Sequence, residues 1–255
     1  MDESNEWTGF SIFSPRKEWP RLLSELDIFF NAGPGSGLTE LRIIEFNYLY
    51  GSNIRVFGLP VTGQRAALAR HLQTLLQDTL GMQVMPALHP KIPTGNTTAL
   101  AIRVLLSDVI MAAFQHEAVD DEALFTMVIC LYLTLLKKDK TAMALMLTDT
   151  DPVGFMEDPV KNRKQLEAEY ARNKGLLCEM KNDIFRNSET NRPDWLQEWI
   201  TGYEAITGSM PAGSLPAIYR TTVYLIMKQL GPAGPLMLQA EYFIRKIAAS
   251  ETVSL

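Results

Sequence analysis

Apolar residues recur along this chain at three- and four-residue intervals, the spacing that lines one face of an α-helix, while strand-like alternation is scarce. Trp19, Leu22, Leu23, Leu26, Phe29 and Phe30 form such a stripe, with Ser14 placed to cap the helix and Pro15 at its first position. Beyond the glycine-rich break at 31–37, Leu41, Ile44, Tyr48 and Leu49 predict a second helix over 38–50, stopped by Gly51. Residues 53–61 are the only stretch that reads as extended. Thr62 then caps a helix bearing Leu68, Leu72, Leu75, Leu76 and Leu80, and a connection with Pro86, Pro90 and Pro93 follows. Asn96 or Thr97 opens an apolar helix through Ile102, Leu105, Val109 and Ala112 to Phe114. Leu124, Val128, Leu131 and Leu135 belong to a helix apolar nearly all round, which predicts the centre of a bundle.

The polar run at 148–154, backed by Asp158-Pro159, reads as a linker. After it, Leu166, Tyr170, Leu177, Met180 and Ile184 mark a long helix with charged outer faces, and Trp195, Trp199 and Tyr203 mark the next. Pro216 and Pro235 open two more. The pattern predicts an all-α fold of two helical bundles: an amino-terminal domain over 1–148, a linker over 149–160 and a carboxy-terminal domain over 161–255.

Composition agrees with a folded protein. Of 255 residues, 47% are hydrophobic and 21% charged, which excludes bulk disorder. The greasiest run, 124–136, is short for a membrane span and ends in Lys137 and Lys138. The acidic start at 1–6 does not resemble a secretory signal, so a reducing compartment is expected, and Cys130 and Cys178 read as free thiols in apolar helices.

The net charge of −5 counts against a dedicated nucleic-acid coat, whose affinity comes from phosphate neutralisation. Charge is unevenly spread. Residues 1–150 carry 12 basic side chains against 16 acidic ones, whereas 161–186 carry seven against four. The seven are Lys161, Arg163, Lys164, Arg172, Lys174, Lys181 and Arg186, candidates with Arg65 and Arg70 for contact with an anionic surface.

No stretch has the spacing of a catalytic or cofactor motif. Residues 33–37 (Gly-Pro-Gly-Ser-Gly) lack the Lys-Ser or Lys-Thr that completes a phosphate loop. His71, His89 and His116 share no metal-ligand spacing, and no Ser or Cys sits in a nucleophile elbow. Asp120, Asp121 and Glu122 read as the solvated start of a helix. The expectation is a protein without enzymatic activity, metal or cofactor. Residues 58–72 resemble the second half of a SAP domain, a nucleic-acid-binding helix pair. The 15 residues between Arg42 and Gly58 are too many for that compact fold.

One family resemblance draws these features together. Residues 54–65, an apolar stretch running through Pro60-Val61-Thr62 into the Arg-bearing helix at 66–80, resemble the corresponding passage of orthomyxovirus matrix proteins. So do residues 121–125 with the Cys-bearing helix behind them; the thogotovirus branch is more similar than the influenza one. The dense basic cluster of the influenza proteins and their Cys and His pairs are missing, which weakens direct lipid or RNA binding by the amino-terminal domain.

The resemblance implies a viral matrix protein that self-assembles beneath the envelope and bridges an anionic membrane to the viral ribonucleoprotein. Its place would be the virion, after the host cytoplasm or nucleus. His71, His89 and His116 would then sense acid. The rivals are a viral nucleocapsid protein holding RNA between two helical lobes, and a helical adaptor anchored by Trp195 and Trp199.

Overall fold

The computed structural model describes residues 7–47, 52–87, 96–115, 117–138, 159–186, 192–231 and 234–252. The chain divides into two compact units, the first comprising Met1–Asp120 with Met227–Gly231 and the second Asp121–Ile226 with Pro232–Leu255. Most of the expected linker at 149–160 lies outside the described residues.

The first unit corrects the all-α expectation. Strands β1 (Thr8–Phe13), β2 (Thr39–Asn47), β3 (Asn53–Pro60) and β4 (Gln83–Pro86) form an antiparallel sheet in the order β2–β3–β1–β4. Helix α1 (Trp19–Asn31) connects β1 to β2, and α2 (Arg65–Gln73), continued by a π-helical turn at Thr74–Thr79, connects β3 to β4. This βαββαβ order with its shuffled strands is the ferredoxin-like arrangement.

β2 replaces the helix expected over 38–50. Leu41, Ile43 and Glu45 point to one face of the sheet and Arg42, Ile44 and Phe46 to the other, because successive strand residues alternate. Ile43 through Asn47 are all buried, Glu45 and Asn47 included, so the period of two is hidden by burial on both faces. The helical spacing of Leu41 and Ile44 is a coincidence of that run. Tyr48–Gly51, the rest of the expected helix, lie outside the described residues.

The stripe of α1 is fully used: Trp19, Leu22, Leu23, Leu26, Phe29 and Phe30 are all buried. Trp19 stacks on Phe46 of β2 at 4.8 Å between ring centres, and its Nε1 donates to the Ser14 carbonyl at 3.1 Å. Each such buried side chain contributes about 1.5–3 kcal/mol. Gly9 of β1 leaves room for the Phe57 ring of β3; a Cβ there would stand 2.2 Å from that ring.

Helix α3 (Thr97–Phe114) is capped by the Asn96 side chain, which accepts from the Ala99 amide at 3.0 Å. It crosses the outer edge of β2. Its Arg103, 1% exposed, pairs with Glu45, and its Asp108 pairs with Arg42 at 2.8 Å. Ser107 Oγ accepts from the Ile44 amide at 2.9 Å, and Gln229 Nε2 donates to the Ile44 carbonyl at 3.1 Å. An edge strand presents unpaired backbone groups, and these two side chains satisfy a pair of them. By length and composition α3 is apolar enough to cross a bilayer, yet it buries an ion pair and packs on the sheet.

The second unit is helical. α4 (Asp121–Lys138) is buried on nearly every side, as its composition predicts, and packs against α5 (Pro159–Phe185), α6 (Asp194–Thr207) and α8 (Gly234–Thr252). α7 (Leu215–Leu230) precedes α8. Phe243 of α8 meets Phe125 and Tyr170 edge-on, at 5.6 and 5.5 Å.

Candidate functional site

Chemistry-bearing groups converge where α4 ends beside α6. Thr134, Lys137, Lys138, Trp199, Ile200, Tyr203 and Glu204 line a cavity of about 240 Å³. The spacing is helical on both sides: 134, 137 and 138 share a face of α4, and 199, 200, 203 and 204 share a face of α6. A dry cavity of ~150 Å³ accepts a benzene ring, so this one holds a single six-membered ring with some room to spare.

Its aromatic wall is held rigidly. Trp199 stacks on Tyr203 at 5.0 Å between centres, and the Trp199 Nε1 donates to Thr134 Oγ1 at 2.7 Å. Thr134 passes its own proton to the Leu131 carbonyl at 2.6 Å, which fixes its oxygen as the acceptor. The same logic applies to Tyr203. Thr222 donates to the Ile218 carbonyl at 2.8 Å, so the Tyr203 hydroxyl donates to Thr222 Oγ1 at 3.2 Å. Burial raises the Tyr203 pKa well above the ordinary phenol value, and the group stays protonated.

Lys137 is the reactive candidate. Burial, then the nearby Arg192 charge, pulls its ammonium below the usual lysine range, with Glu204 opposing and Lys138 reinforcing. Its Nζ donates to the Ile184 carbonyl at 3.0 Å, and Arg192 donates to the same oxygen at 3.0 Å. Two cations thus share the carboxy-terminal end of α5, where the helix dipole favours positive charge. That capping gives Lys137 a structural purpose, and the cavity gives it a chemical one. Lys138 and Glu204 form a surface pair at 3.0 Å and contribute little to stability.

The first unit has a wider cavity, about 560 Å³, lined by Pro60, Val61, Thr62, Gly63, Arg65, Ala66 and Ala69. Gly63 turns the chain there with φ +78°, a conformation that other residues rarely adopt. Arg65 is its one charged side chain, so it offers less chemistry than the Lys137 site.

The basic residues singled out in the sequence are not brought together on one face. Arg65 lies half-buried at the start of α2, with Arg70 exposed one turn on. At about 100° per residue, Lys161, Lys164 and Arg172 fall on one side of α5, and Arg163, Lys174 and Lys181 lie roughly 140° round from them. Arg186 follows in the turn after the helix. His71 is exposed on α2, while His89 and His116 lie outside the described residues. No group of three or more potential metal ligands occurs among the described residues. Residues 33–37 are a turn in which Gly33 and Gly35 donate to the Ile28 and Phe29 carbonyls, and the SAP-like passage is the β3–α2 connection.

Sequence reasoning overlooked Lys137, read only as the stop of an apolar helix, and used Trp199 and Tyr203 only to mark a helix. An ammonium directly after ten consecutive buried positions, all but Thr134 hydrophobic, was the available clue.

No family model and no curated protein sequence matches the chain. Among solved structures, the pyridine synthase TbtD from thiomuracin biosynthesis superposes with a TM-score of 0.67 at 13% identity, covering 98% of this chain and 100% of that one. TsrL superposes with a TM-score of 0.63 at 15% identity, covering 99% and 96%. These likenesses fix a shared fold from end to end. With the sheet they overturn the matrix-protein resemblance and what it implied: the viral matrix function, the nucleocapsid alternative, and a self-assembled layer, anionic membrane and ribonucleoprotein as partners. The expectation of a protein without enzymatic activity fell with them, since the fold is one that an established synthase uses over its whole length.

Proposed function

We propose that this chain is a biosynthetic enzyme that closes a nitrogen-containing six-membered ring, with the Lys137 cavity as the place of reaction. The observation that carries the reading is the end-to-end likeness to a pyridine synthase, matched over the full length of both chains. A fold alone does not assign a reaction, so the cavity must supply chemistry suited to ring closure. Turning an acyclic precursor into an aromatic ring removes protons from it and expels leaving groups, and each step needs a group able to take or give a proton near neutrality.

Lys137 suits that task. Its lowered pKa leaves more of the amine neutral and able to accept a proton, which the resulting ammonium then returns to a departing group. The stacked Trp199–Tyr203 pair, itself buried, backs the cavity beside Lys137. Thr134 and Tyr203 spend their protons within the protein and do not compete with Lys137 for that role.

The test is incubation of the full chain with synthetic acyclic precursors, followed by mass spectrometry and by the ultraviolet absorbance of a new pyridine. Lys137→Met is expected to lower turnover by about 10²–10⁴-fold, the usual contribution of a general acid–base. Lys137→Arg keeps the positive charge and is expected to fail as well, because a guanidinium does not release its proton. Wild-type turnover in both variants would remove Lys137 from the mechanism. If no precursor yields a pyridine, the ring-forming activity itself is refuted.

A further inference from the structure

The last carbonyls of a helix have no amide of their own helix to accept from, and donors from elsewhere must satisfy them. At the end of α5 two cations do so. Arg192, in the connection before α6, donates through Nη2 to the Asp183 carbonyl at 3.2 Å and to the Ile184 carbonyl at 3.0 Å. Lys137 Nζ reaches across from the end of α4 to the Ile184 carbonyl, also at 3.0 Å. The two nitrogens meet on one oxygen, which has a lone pair for each. They therefore stand at most about 6 Å apart, close enough for their charges to repel. Pro193, the N-cap of α6, disfavours helical geometry in the residue before it, which keeps Arg192 in the connection.

The two holds on α5 are not equivalent. Arg192 serves two carbonyls and Lys137 serves one of the same two. When Nζ swings into the cavity that Lys137 lines, the guanidinium stays on both oxygens and the helix end remains capped. Were Arg192 absent, Lys137 would be left as the donor to the Ile184 carbonyl, and leaving it would uncap the helix.

We infer that Arg192 is the positioning residue of the Lys137 site, capping α5 in place of Lys137 so that the lysine is released to act on a substrate in the cavity. The inference rests on the reading of Lys137 as the group that moves protons. The electrostatics agree with it. Burial is the largest influence on the Lys137 ammonium, and the Arg192 charge is next; Lys138 also favours loss of the proton, whereas Glu204 of α6 favours keeping it. From α5 the carbonyls face Lys137, while the Asp183 side chain is exposed. Glu241, the carboxylate that α8 brings towards α4, acts on Tyr132. A guanidinium suits the task because it keeps its charge throughout the range in which a lysine titrates.

The experiment is competitive acetylation of the full chain with trace acetic anhydride between about pH 7 and pH 11, which spans the ordinary lysine range. Peptide mass spectrometry reads the rates, with the exposed Lys174 of α5 as internal reference. Arg192→Gln is expected to move the Lys137 profile to higher pH and to slow its acetylation near pH 8 by about threefold or more, the effect of half a pKa unit. Arg192→Lys keeps a charge and should recover part of that rate. An Arg192 that only caps the helix would lower stability and leave the profile in place, so an unmoved profile overturns the inference. Release of Lys137 is tested separately by denaturant midpoints. Lys137→Met should lower the midpoint little in the wild-type background and clearly more in Arg192→Gln; equal losses overturn the inference. If Arg192→Gln does not fold, the wild-type background decides: a large loss in Lys137→Met shows that Arg192 does not replace it. No turnover is measured. A shifted profile in a chain that closes no ring removes the reaction and keeps the hold of Arg192 on Lys137, whereas an unmoved profile in a chain that closes rings does the reverse.

Discussion

Breaking the Arg103–Glu45 pair is the sharpest test of how α3 is fastened to the sheet. Both groups are nearly inaccessible, at 1% and 5% exposure. In an Arg55→Gln background, which takes away the guanidinium that the β2–β3 register sets beside Glu45, Arg103→Met strands the buried Glu45 carboxylate. Stranding one member of a buried pair costs about 3–5 kcal/mol, far more than the pair contributes over an apolar replacement. The substitution leaves the main chain intact, so the Arg103 carbonyl keeps its bonds from Ser107 at 2.8 Å and Gln229 at 2.9 Å. The loss therefore reports the ion pair rather than the edge cover. At roughly 2–4 °C per kcal/mol for a chain of this size, the first unit's melting point falls by about 6–20 °C. Glu45→Leu is expected to cost a similar amount. The double variant should recover most of the loss, because neither buried charge remains. Guanidinium titrations of the four proteins, followed by tryptophan fluorescence, give the coupling energy. Single losses below about 1 kcal/mol that simply add would show the pair to be solvated, and the packing of α3 against β2 would be wrong.

Three further outcomes follow from the packing and the electrostatics. Gly9→Val would drive a Cβ into the Phe57 ring and to within 2.9 Å of the Val56 carbonyl, so a loss of about 1–3 kcal/mol is expected in a denaturant midpoint; an unchanged midpoint would place Phe57 elsewhere. Burial holds the Glu241 carboxyl above its usual range despite Arg245, so the folded chain keeps this proton more tightly than the unfolded one and loses stability as pH rises through that window. Glu241→Gln should therefore reduce the fall in melting point between about pH 4 and pH 7, and an enlarged fall would reverse the sign. Burial pushes the Cys130 thiol up to about 12, whereas Cys178 is only half-buried, so iodoacetamide followed by peptide mass spectrometry should label Cys178 first in the folded chain.

The two units were legible in the sequence to different degrees, for a physical reason. α4 is surrounded by other helices, and its unbroken apolar run says so directly. α1 carries a one-sided stripe, and every residue of that stripe is buried. Of the sheet, β3 alone showed, as the extended stretch at 53–61. β2 is covered on both faces along Ile43–Asn47, so alternation is erased where it would have been diagnostic. β1 does alternate, but it is six residues long and begins within seven residues of the chain start. β4 is four residues long and ends in Pro86, which is tolerated there because it is an edge strand. With three of four strands hidden in these ways, the apolar spacing of the remainder favoured helices throughout, and the matrix-protein resemblance was built on that reading.

The candidate sites were illegible for a different reason. Lys137 and Arg192 are 55 positions apart, and what joins them is a single carbonyl at the end of α5. The Arg103–Glu45 pair likewise joins residues 58 positions apart, and only the fold reveals it. Charge counting along the sequence weighted the seven basic residues of α5, whose number stands out. Yet exposed cations on a solvated helix are individually weak, whereas a lysine whose pKa is lowered by its surroundings carries chemistry at the level of one side chain. Such a group is defined by what surrounds it in space, and for this chain that means Lys137 should be mutated before any residue of the α5 basic run.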